Sequence, residues 1–382
     1  MSTAASRRPD PTFSVETITD YPSLADLQET WDRTHQASGS GNPFLTHDWI
    51  LSWWEAFGEG KKLHIMVFKS EGETVAIAPF MWTTERIAGI RVRCLRLIYN
   101  DHTPRMDFII DRHAQGAYGA IWRQLAGNTR WHVLRLNQLS EYSPAIQEFC
   151  RNADLDRMPW GIWLSSESPY LPLAGDWETY LRNLTAKHRS NLRNRDRRLR
   201  ELGLVTRETI TSGSNLVDTL EEGFRIEAAG WKGNRGTAIN CRPELRQFYI
   251  SVARRFSNRG SLRLEFLNVA GRRIAFAYMI RYESRLHLLK IGYDPEFSNL
   301  SPFNLLCEIL IREAHEEGLS EFDFLGDSAK WKLDWTRSCR RHYWLYVFRD
   351  TLFCRLLHRI KFQWIPNLRL NPMAQKAFRH IR

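Results

Sequence analysis

The most regular hydrophobic pattern lies in the last third of the chain, where it predicts a strand, a helix and a second strand. Arg285–Tyr293 is apolar and aromatic, as expected for a buried strand. Ser301 has the character of a helix N-cap, and Pro302 suits the first helical position because proline lacks the N–H that this position leaves unpaired. Apolar residues then recur at helical spacing as far as Gly318, and 321–325 predicts the second strand.

This junction between strand and helix predicts an anion site. The first turn of a helix has unpaired N–H groups and lies at the positive end of the helix dipole, so it attracts phosphate. An ordinary crossover helix without a ligand would have the same pattern. The candidates for binding a phosphorylated cofactor here are Gly292, Ser301, Pro302, Phe303, Asn304 and Leu305.

The same order of elements occurs twice along the chain. In the first half, two alternating strands flank the turn at Gly72, and further strands and a helix follow up to a strand at 131–136. In the second half, two strands flank the turn at Gly271, and the strand, helix and strand described above follow. The pattern predicts an internal duplication, although α/β proteins can share such an order by chance.

The length and composition of the chain predict two domains, with a further segment before the first domain and another after the second. A chain of 382 residues is longer than the chain that one hydrophobic core usually serves. We therefore expect two domains, at 13–166 and 167–349. Residues 1–12 lack an apolar pattern and are predicted to be disordered. The tail, 350–382, begins with a basic amphipathic helix at 350–366, which either packs on its own domain or lies on an anionic membrane surface.

The most basic segment of the chain, residues 177–203, lies just after the start of the predicted second domain. Its leucines recur at helical spacing, and arginine and lysine side chains occupy most of the remaining positions. Such a helix is either a solvated surface helix or a phosphate-contacting one, because guanidinium groups match phosphate oxygens. The second interpretation assigns substrate contacts to Lys187, Arg189 and Arg193.

Charge and cysteine content narrow the class of protein. A net charge of +11 and a pI near 9.5 favour acidic partners such as nucleotides, anionic glycan intermediates, nucleic acid or a membrane surface. The six cysteines show neither disulfide nor zinc spacing and the histidines do not cluster, so we expect a reducing compartment and no metal. No apolar run is long enough to cross a bilayer. We therefore expect a cytoplasmic protein. If its tail binds the inner membrane, we expect the protein to be peripheral on that membrane.

With these residues in view, the chain resembles the CelD/BcsL group of GNAT-type acyltransferases, which are linked to bacterial exopolysaccharide synthesis. The resemblance covers roughly residues 40–345. Its motifs in the first half are Asn42-Pro43-Phe44, Trp49, Trp53, Phe57-Gly58 and Ile77-Ala78-Pro79. Those in the second half are Ser168-Pro169-Tyr170-Leu171, Lys187, Arg189, Leu192, Trp231, Gly292-Tyr293-Asp294-Pro295, Ser301-Pro302, Asn304-Leu305-Leu306 and FDFLG at 322–326. Trp331-Lys332 stands where the group usually has Tyr-Lys.

The resemblance implies an α/β (α+β) fold of two fused GNAT-like acyltransferase domains, each a mixed sheet flanked by helices, as in the FemABX peptidyltransferases. It implies that an acyl-CoA such as acetyl-CoA donates its acyl group to an amino sugar or a glycan intermediate, carried on a nucleotide or a lipid. In the Fem case the donor would be an aminoacyl-tRNA. Phe303 departs from the group, which tends to have glycine there, and glycine lets a backbone approach a pyrophosphate.

Direct acyl transfer needs an unprotonated acceptor, a donor for the oxyanion and an acid for the departing thiolate. Backbone N–H groups near Gly292 would serve the oxyanion. The catalytic candidates are Asp323, Asp327, Lys332 and Tyr293. The two carboxylates would act as base or position the acceptor, Lys332 would stabilise negative charge as the group's Tyr-Lys element suggests, and Tyr293 would protonate the leaving group. The remaining substrate candidates are Trp231, Lys290 and Trp331.

A different class of function is a binding module in which the GNAT fold has lost catalysis. The arginine-rich helix or the basic tail would then recognise a cyclic dinucleotide or nucleic acid, and the Phe303 departure is consistent with this interpretation. Nucleic acid is the less favoured ligand because the sequence shows no aromatic stacking motif of the kind that RNA-binding sheets carry.

Overall fold

A single mixed β-sheet runs through the whole molecule in the computed structural model, which describes residues 13–114, 116–230, 236 and 238–365. The predictions made above for residues 1–12, for Trp231 and for the chain beyond residue 365 concern residues outside these ranges. The strands of the described residues are β1 Ser14–Ile18, β2 Lys62–Ser70, β3 Glu73–Ile87, β4 Ile90–Leu97, β5 Ile109–Ile110, β6 Val133–Ser140, β7 Trp160–Pro172, β8 Val205–Ile210, β9 Leu262–Val269, β10 Arg272–Tyr282, β11 Arg285–Tyr293, β12 Glu321–Asp323 and β13 Cys339–Phe348.

Helices connect these strands and cover the sheet. Those of the described residues are α1 Tyr21–Asp26, α2 Gln28–Ser38, α3 His47–Phe57, α4 Ala117–Gly127, α5 Pro144–Leu155, α6 Trp177–Asn183, α7 Ala186–Arg200, α8 Leu216–Ala228, α9 Pro243–Asn258, α10 Pro302–Glu316, α11 Lys330–Leu333 and α12 Leu352–Arg359. Short helical turns at Pro43–Leu45, Ile239–Cys241 and Pro295–Leu300 precede α3, α9 and α10.

The sheet repeats one plan in its two halves. The strand order is β1-β2-β3-β4-β6-β13-β7-β12-β11-β10-β9-β8, with β5 beside β3. The hairpin β2–β3 leads to β4, α4 and β6, just as the hairpin β9–β10 leads to β11, α10 and β12. The pairs β4–β6 and β11–β12 are parallel, as a helical crossover requires, and the other neighbours are antiparallel. The predicted α/β (α+β) class, with mixed sheets flanked by helices, is confirmed.

The last strand of each half pairs with the other half. Strand β13, from the end of the chain, lies between β6 and β7. Strand β7, from the end of the first half, continues past β13 and pairs with β12 through its last three residues. The predicted domain boundary between 166 and 167 therefore falls inside β7, and the two halves share one hydrogen-bonded sheet.

Helix α10 forms where the pattern predicted it because one of its faces is apolar throughout. Leu306, Leu310 and Ala314 are fully buried, and the helix packs against β9, β10 and β11. Ser301 occupies the N-cap position, but its backbone is left-handed with φ of 46° and its side chain makes no capping hydrogen bond. Such a conformation is uncommon for a residue other than glycine and is often found at functional sites.

The basic helix of the tail packs on the first half of the molecule with one face only. Cys354 and Leu357 are buried against β4 and β13 in a small separate core. Gly161 in β7 is required there because a Cβ atom would lie 2.5 Å from the ring of Phe362. Leu352 is 90% exposed on the opposite face of the helix. Among the described residues, no helix combines the length and apolar character needed to cross a bilayer.

Candidate functional site

Strands β11 and β12 separate at the centre of the second half. They pair only through 285–287 and 321–323, after which β12 ends while β11 continues to Tyr293. Strand β11 also carries one extra residue, Leu289, between the positions that face Tyr278 and Met279 of β10. A bulge of this kind turns backbone groups away from the ladder and often lies next to an active site. Beyond residue 287, the edge of β11 that faces β12 therefore has no neighbouring strand among the described residues.

A cavity of about 310 Å³, which we call the smaller cavity, lies at the far end of this gap, beside the start of α10. It is lined by Glu227, Gly230, Ile291, Gly292, Tyr293, Ser298, Ser301, Phe303, Asn304 and Trp331. Four of the predicted cofactor residues, Gly292, Ser301, Phe303 and Asn304, thus share one wall. Pro302 and Leu305 are buried and do not line it.

Backbone geometry limits how this helix end can bind phosphate. Pro302 has no N–H, the N–H of Ser301 donates to Ser298 O at 3.1 Å and that of Asn304 donates to Ser301 O at 2.9 Å. The first turn thus offers fewer unpaired N–H groups than an ordinary helix N-terminus would. The hydroxyl of Ser301 and the amide of Asn304 must supply the remaining polar contacts.

Gly292 is needed for packing as well as for the cavity. A Cβ atom at this position would lie 2.5 Å from the Cα and 2.6 Å from the N of Glu227 in α8. Only a glycine therefore allows α8 to cross β11 so closely. Helix α8 forms one side of the smaller cavity through Glu227, so this close approach shapes the cavity.

Phe303 does not fill the smaller cavity. Its side chain is 5% exposed and joins the core of the second half. Its ring meets that of Trp331 edge to face, with 5.3 Å between the centroids. Trp331 packs in the same way on Phe324, at 5.8 Å. The ring of Phe303 therefore forms part of the cavity wall together with Trp331, and the cavity beside the two rings remains open.

A second, larger cavity of about 1030 Å³ lies between the two halves of the molecule. From the first half, it is lined by residues 99, 101–104 and 138. Strands β7 and β13 contribute the residues that face the cavity. The second half contributes residues 288–291 and the loop after β12. Four of the predicted residues, Lys290, Asp327, Trp331 and Lys332, line it from the second half. Ile291 and Trp331 line both cavities, so the two spaces share a wall.

The loop after β12 is held in an unusual conformation. Leu325 and Gly326 are both left-handed, with φ of 50° and 56°. The ammonium group of Lys332 donates to Leu325 O, and to Asp327 O at 2.9 Å. Lys332 therefore fixes the turn that exposes Asp327 on the wall of the larger cavity.

Asp323 does not line either the smaller or the larger cavity. It is fully buried and forms an ion pair with Arg105, while His287 Nδ1 and Arg340 Nη1 lie 3.6 and 3.7 Å from Oδ2. Its Oδ1 accepts the N–H of Leu325 at 3.0 Å. Burial would raise the pKa of this carboxyl, but the adjacent cations, Arg105 foremost, hold it well below its usual value. This position favours a structural role over that of a general base.

The larger cavity contains a histidine that the sequence analysis did not single out. The Nδ1 atom of His102 lies 3.4 Å from Lys290 Nζ and 3.3 Å from the hydroxyl of Tyr249. Burial, with the charges of Lys290 and Arg242, lowers the pKa of His102 to about 3. An ammonium group can only donate, so Nδ1 accepts and the ring proton lies on Nε2. The only sequence signal for His102 was its place in a polar run, NDHTP, between two apolar strands.

The basic helix α7 lies away from both cavities. It packs against α10 and the turn at 295–300. Arg189 is committed to the end of α6, where its guanidinium donates to Leu184 O at 2.7 Å and to Arg182 O. Lys187 and Arg193 are exposed and line neither cavity. The substrate contacts predicted for these three residues therefore do not involve the walls of either space.

Comparisons with known proteins agree with the fold. Residues 186–333 match the family described as an acetyltransferase (GNAT) domain. This segment contains β11, α10 and the loop after β12. No curated protein sequence matches the chain at a significant level.

Solved structures share the architecture of the whole chain. FemX is similar over 90% of this chain and 100% of its own, with a TM-score of 0.59 and 11% identity. The C-terminal domain of a putative lysylphosphatidylglycerol synthetase from Agrobacterium fabrum covers 87% of this chain and 95% of its own, with a TM-score of 0.51 and 13% identity. L-PGS from Bacillus licheniformis has the same coverage and TM-score, at 11% identity. At these identities the likeness establishes the fold alone.

Proposed function

We propose that the protein is an acyltransferase that moves an acyl group, an acetyl group in the simplest case, from an acyl-CoA to an amino sugar or glycan intermediate of bacterial exopolysaccharide synthesis. The observation that carries the proposal is the wall shared by the two cavities. A donor bound beside α10 and an acceptor bound between the halves would meet at Ile291 and Trp331. Such proximity is the main requirement of direct transfer.

In the proposed reaction the acceptor nitrogen attacks the thioester carbonyl, a C–N bond forms and the C–S bond breaks. The bulge of β11, beside the end of β12, supports a role for backbone N–H groups of β11 in stabilising the oxyanion. Asp327, exposed on the wall of the larger cavity, would take the proton of the amine. Tyr293, on the wall of the smaller cavity, would protonate the thiolate.

Two further groups would position the acceptor. The Nε2–H of His102 would donate to an oxygen of the acceptor or of the carbonyl, since Lys290 occupies Nδ1. Lys332 would act indirectly, by holding the loop that carries Asp327. Because His102 belongs to the first half and Asp327 to the second, the proposed site requires both halves.

The proposal is tested by release of free thiol from acetyl-CoA and longer acyl-CoAs in the presence of glucosamine, UDP-glucosamine or a glycan acceptor. We expect release that depends on the acceptor and that falls about a hundredfold or more in Asp327→Asn, as expected for loss of a general base. Asp334→Asn is the matched control, because Asp334 is exposed nearby and lines neither cavity. Absence of release with every donor and acceptor would refute the proposal.

A Fem-like transferase that uses aminoacyl-tRNA is the alternative donor assignment. The exposed basic residues of α7, which pack beside the start of α10, favour it. Transfer would then depend on charged tRNA and would be abolished by RNase. Acyl-CoA turnover that RNase leaves unchanged would exclude this alternative.

We also propose that the segment 350–366 brings the protein to an anionic membrane surface. Leu352, Phe353, Leu356 and Trp364 are exposed on the tail. Arg359 is exposed on the same helix, and no ion pair involves it among the described residues. Apolar side chains flanked by cations are the composition of an interfacial helix. This contact would place the enzyme next to a lipid-linked acceptor.

A further inference from the structure

A third cavity, of about 610 Å³, adjoins the larger cavity and is lined by four arginines. We call it the arginine cavity. Arg105 and Arg112 come from the first half, and Arg285 and Arg340 come from β11 and β13. The first and second halves of the chain thus both contribute arginines to the walls of one partly open cavity.

The arginine cavity lies directly beside the proposed acceptor space. Pro104 lines the larger cavity, and the next residue, Arg105, lines the arginine cavity. In β13, His342 lines the larger cavity and Arg340 lines the arginine cavity. Residues two apart in a strand share one face of the sheet, so the two spaces are neighbours on the same face.

The positive charge of the cavity is only partly neutralised. Arg340 pairs with Glu321 at 2.9 Å, and Arg105 pairs with Asp323. By contrast, neither Arg112 nor Arg285 forms an ion pair with any residue that the structure describes, although Arg112 Nε donates to Ala37 O at 3.1 Å. The carboxylates on the wall are those of Asp107 and Asp111, and burial raises the pKa of Asp107 to about 6.

A buried donor in the wall also lacks an acceptor. Arg105 is 8% exposed, and its Nε atom is buried without a hydrogen-bond partner among the described residues. A buried N–H without a partner costs free energy, which a ligand oxygen would recover. The hydroxyls of Ser40, Ser140 and Ser143 line the same space and add groups that can donate to oxygen.

We propose that the arginine cavity binds a phosphate or diphosphate group, and, given the proposed function, that this group belongs to the acceptor whose reacting end lies in the larger cavity. Guanidinium groups match phosphate oxygens in a bidentate manner, and a site partly shielded from water strengthens their attraction. A diphosphate could come from a nucleotide sugar or from a lipid-linked sugar. Both sources present the same chemistry to the four arginines.

The inference is tested by calorimetric titration of the full-length protein with inorganic pyrophosphate. Arg285→Gln is the informative variant, because the side chain of Arg285 makes no hydrogen bond or ion pair with the described residues, so that its loss breaks no internal network. We expect pyrophosphate to bind about tenfold or more weakly to this variant, as loss of one charge-assisted contact predicts. Arg112→Gln provides a second, independent variant with the same expectation.

Arg254→Gln is the matched control. Arg254 is exposed on α9, and its replacement by Gln changes the net charge by the same amount as Arg285→Gln. We expect it to alter pyrophosphate affinity by less than about twofold, since exposed charges are screened by salt. Equal weakening in Arg254→Gln and Arg285→Gln would indicate general attraction and overturn the site. Unchanged affinity in both Arg285→Gln and Arg112→Gln would overturn it as well.

Three further ligands identify the source of the diphosphate. UDP binding more tightly than pyrophosphate indicates a nucleotide, and farnesyl diphosphate binding more tightly indicates a lipid; either result supports the proposal if Arg285→Gln weakens it. Weakening of CoA to the same extent would assign the cavity to the donor and overturn the acceptor assignment. Because binding is measured without turnover, failure of acyl transfer and failure of this site are read separately.

Discussion

Arg105 of the first half and Asp323 at the end of β12 form a buried ion pair between the two halves of the molecule. Their side chains are 10% and 0% exposed. The pair lies where β11 and β12 separate, and the loop that follows Asp323 forms part of the larger cavity. The relative position of the two halves, and hence the width of the proposed acceptor space, depends on this contact.

Replacing Arg105 by Met is expected to destabilise the protein by about 3–5 kcal/mol, because it leaves a buried carboxylate without its principal partner. Chemical unfolding measures this change. Arg33→Met is the matched control: Arg33 forms an exposed pair with Glu29 at 3.4 Å, so its loss should cost less than about 1 kcal/mol. Equal effects in the two variants would show that the buried pair contributes nothing special.

The same pair predicts a dependence of stability on pH. The pKa of Asp323 is lower in the folded protein than in the unfolded chain, so its contribution is fully present above the unfolded value of about 3.9. The contribution is lost as the pH falls below that value. Asp323→Asn should therefore be less stable than the parent at pH 7, with a gap that narrows towards pH 3. A gap independent of pH would contradict this account.

The exchange of β7 and β13 predicts that the halves cannot fold separately. A chain that ends at residue 338 lacks β13, which covers one edge of both β6 and β7 and buries Leu345, Val347 and Phe348. We expect it to lose cooperative thermal unfolding and to aggregate through the exposed strand edges. A chain that ends at 365 keeps β13 and is the control. Cooperative unfolding of the shorter chain would contradict the prediction.

Local patterns anticipated the elements around the site, whereas contacts between distant segments were not visible in the sequence. The turns at Gly72 and Gly271 and the start of α10 follow from residue type, and both glycines are left-handed with φ of 87° and 79°. The pairing of β13 with β6 left no such signal, because strand exchange changes neither the hydrophobic period nor the turn residues. A compact hairpin and an exchanged strand look alike in one sequence.

The same distinction applies to the site. Ser301 and Asn304 were found because a helix start has a sequence signature. His102 and Arg105 were not, because their partners, Lys290 and Asp323, are about 190 and 220 residues away and only the fold brings them together. Asp323 looked like a base because it ends a strand, and its burial depends on Arg105, which the local pattern does not reveal.

Gly292→Ala is expected to destabilise the protein by about 1–3 kcal/mol, because the new methyl group would overlap the backbone of α8 at Glu227. Its effect should extend to ligand binding in the smaller cavity, which α8 helps to form. Gly119→Ala is the matched control in α4, where the new Cβ would meet nothing closer than 3.6 Å and alanine favours the helix. Thermal unfolding of both variants, with and without CoA, measures the two effects. A neutral Gly292→Ala would show that α8 can move away from β11.

His102 is expected to remain neutral from pH 8 to pH 5, because its pKa is lowered to about 3 by burial and by the positive charge of Lys290. The ring protons of His102 should therefore show no titration over this range in an NMR experiment. Lys290→Met removes one of the two positive charges, those of Lys290 and Arg242, that lower the pKa of His102, and should therefore raise this pKa. Titration of His102 near its ordinary value of about 6.5 in the parent protein would contradict the proposed hydrogen-bond arrangement.

Binding to a membrane surface is expected to depend on both the apolar and the basic residues of the tail. Leu352, at 90% exposed, contributes nothing to the core, so Leu352→Asp should leave thermal stability unchanged while lowering sedimentation with vesicles that contain anionic lipid. Leu155→Asp is the matched control, because Leu155 is 72% exposed at the end of α5. Neutral vesicles and high salt should weaken binding of the parent, since the cations contribute about 1 kcal/mol each near an anionic surface. Equal vesicle binding by the parent and Leu352→Asp would show that the exposed face of α12 does not contact lipid.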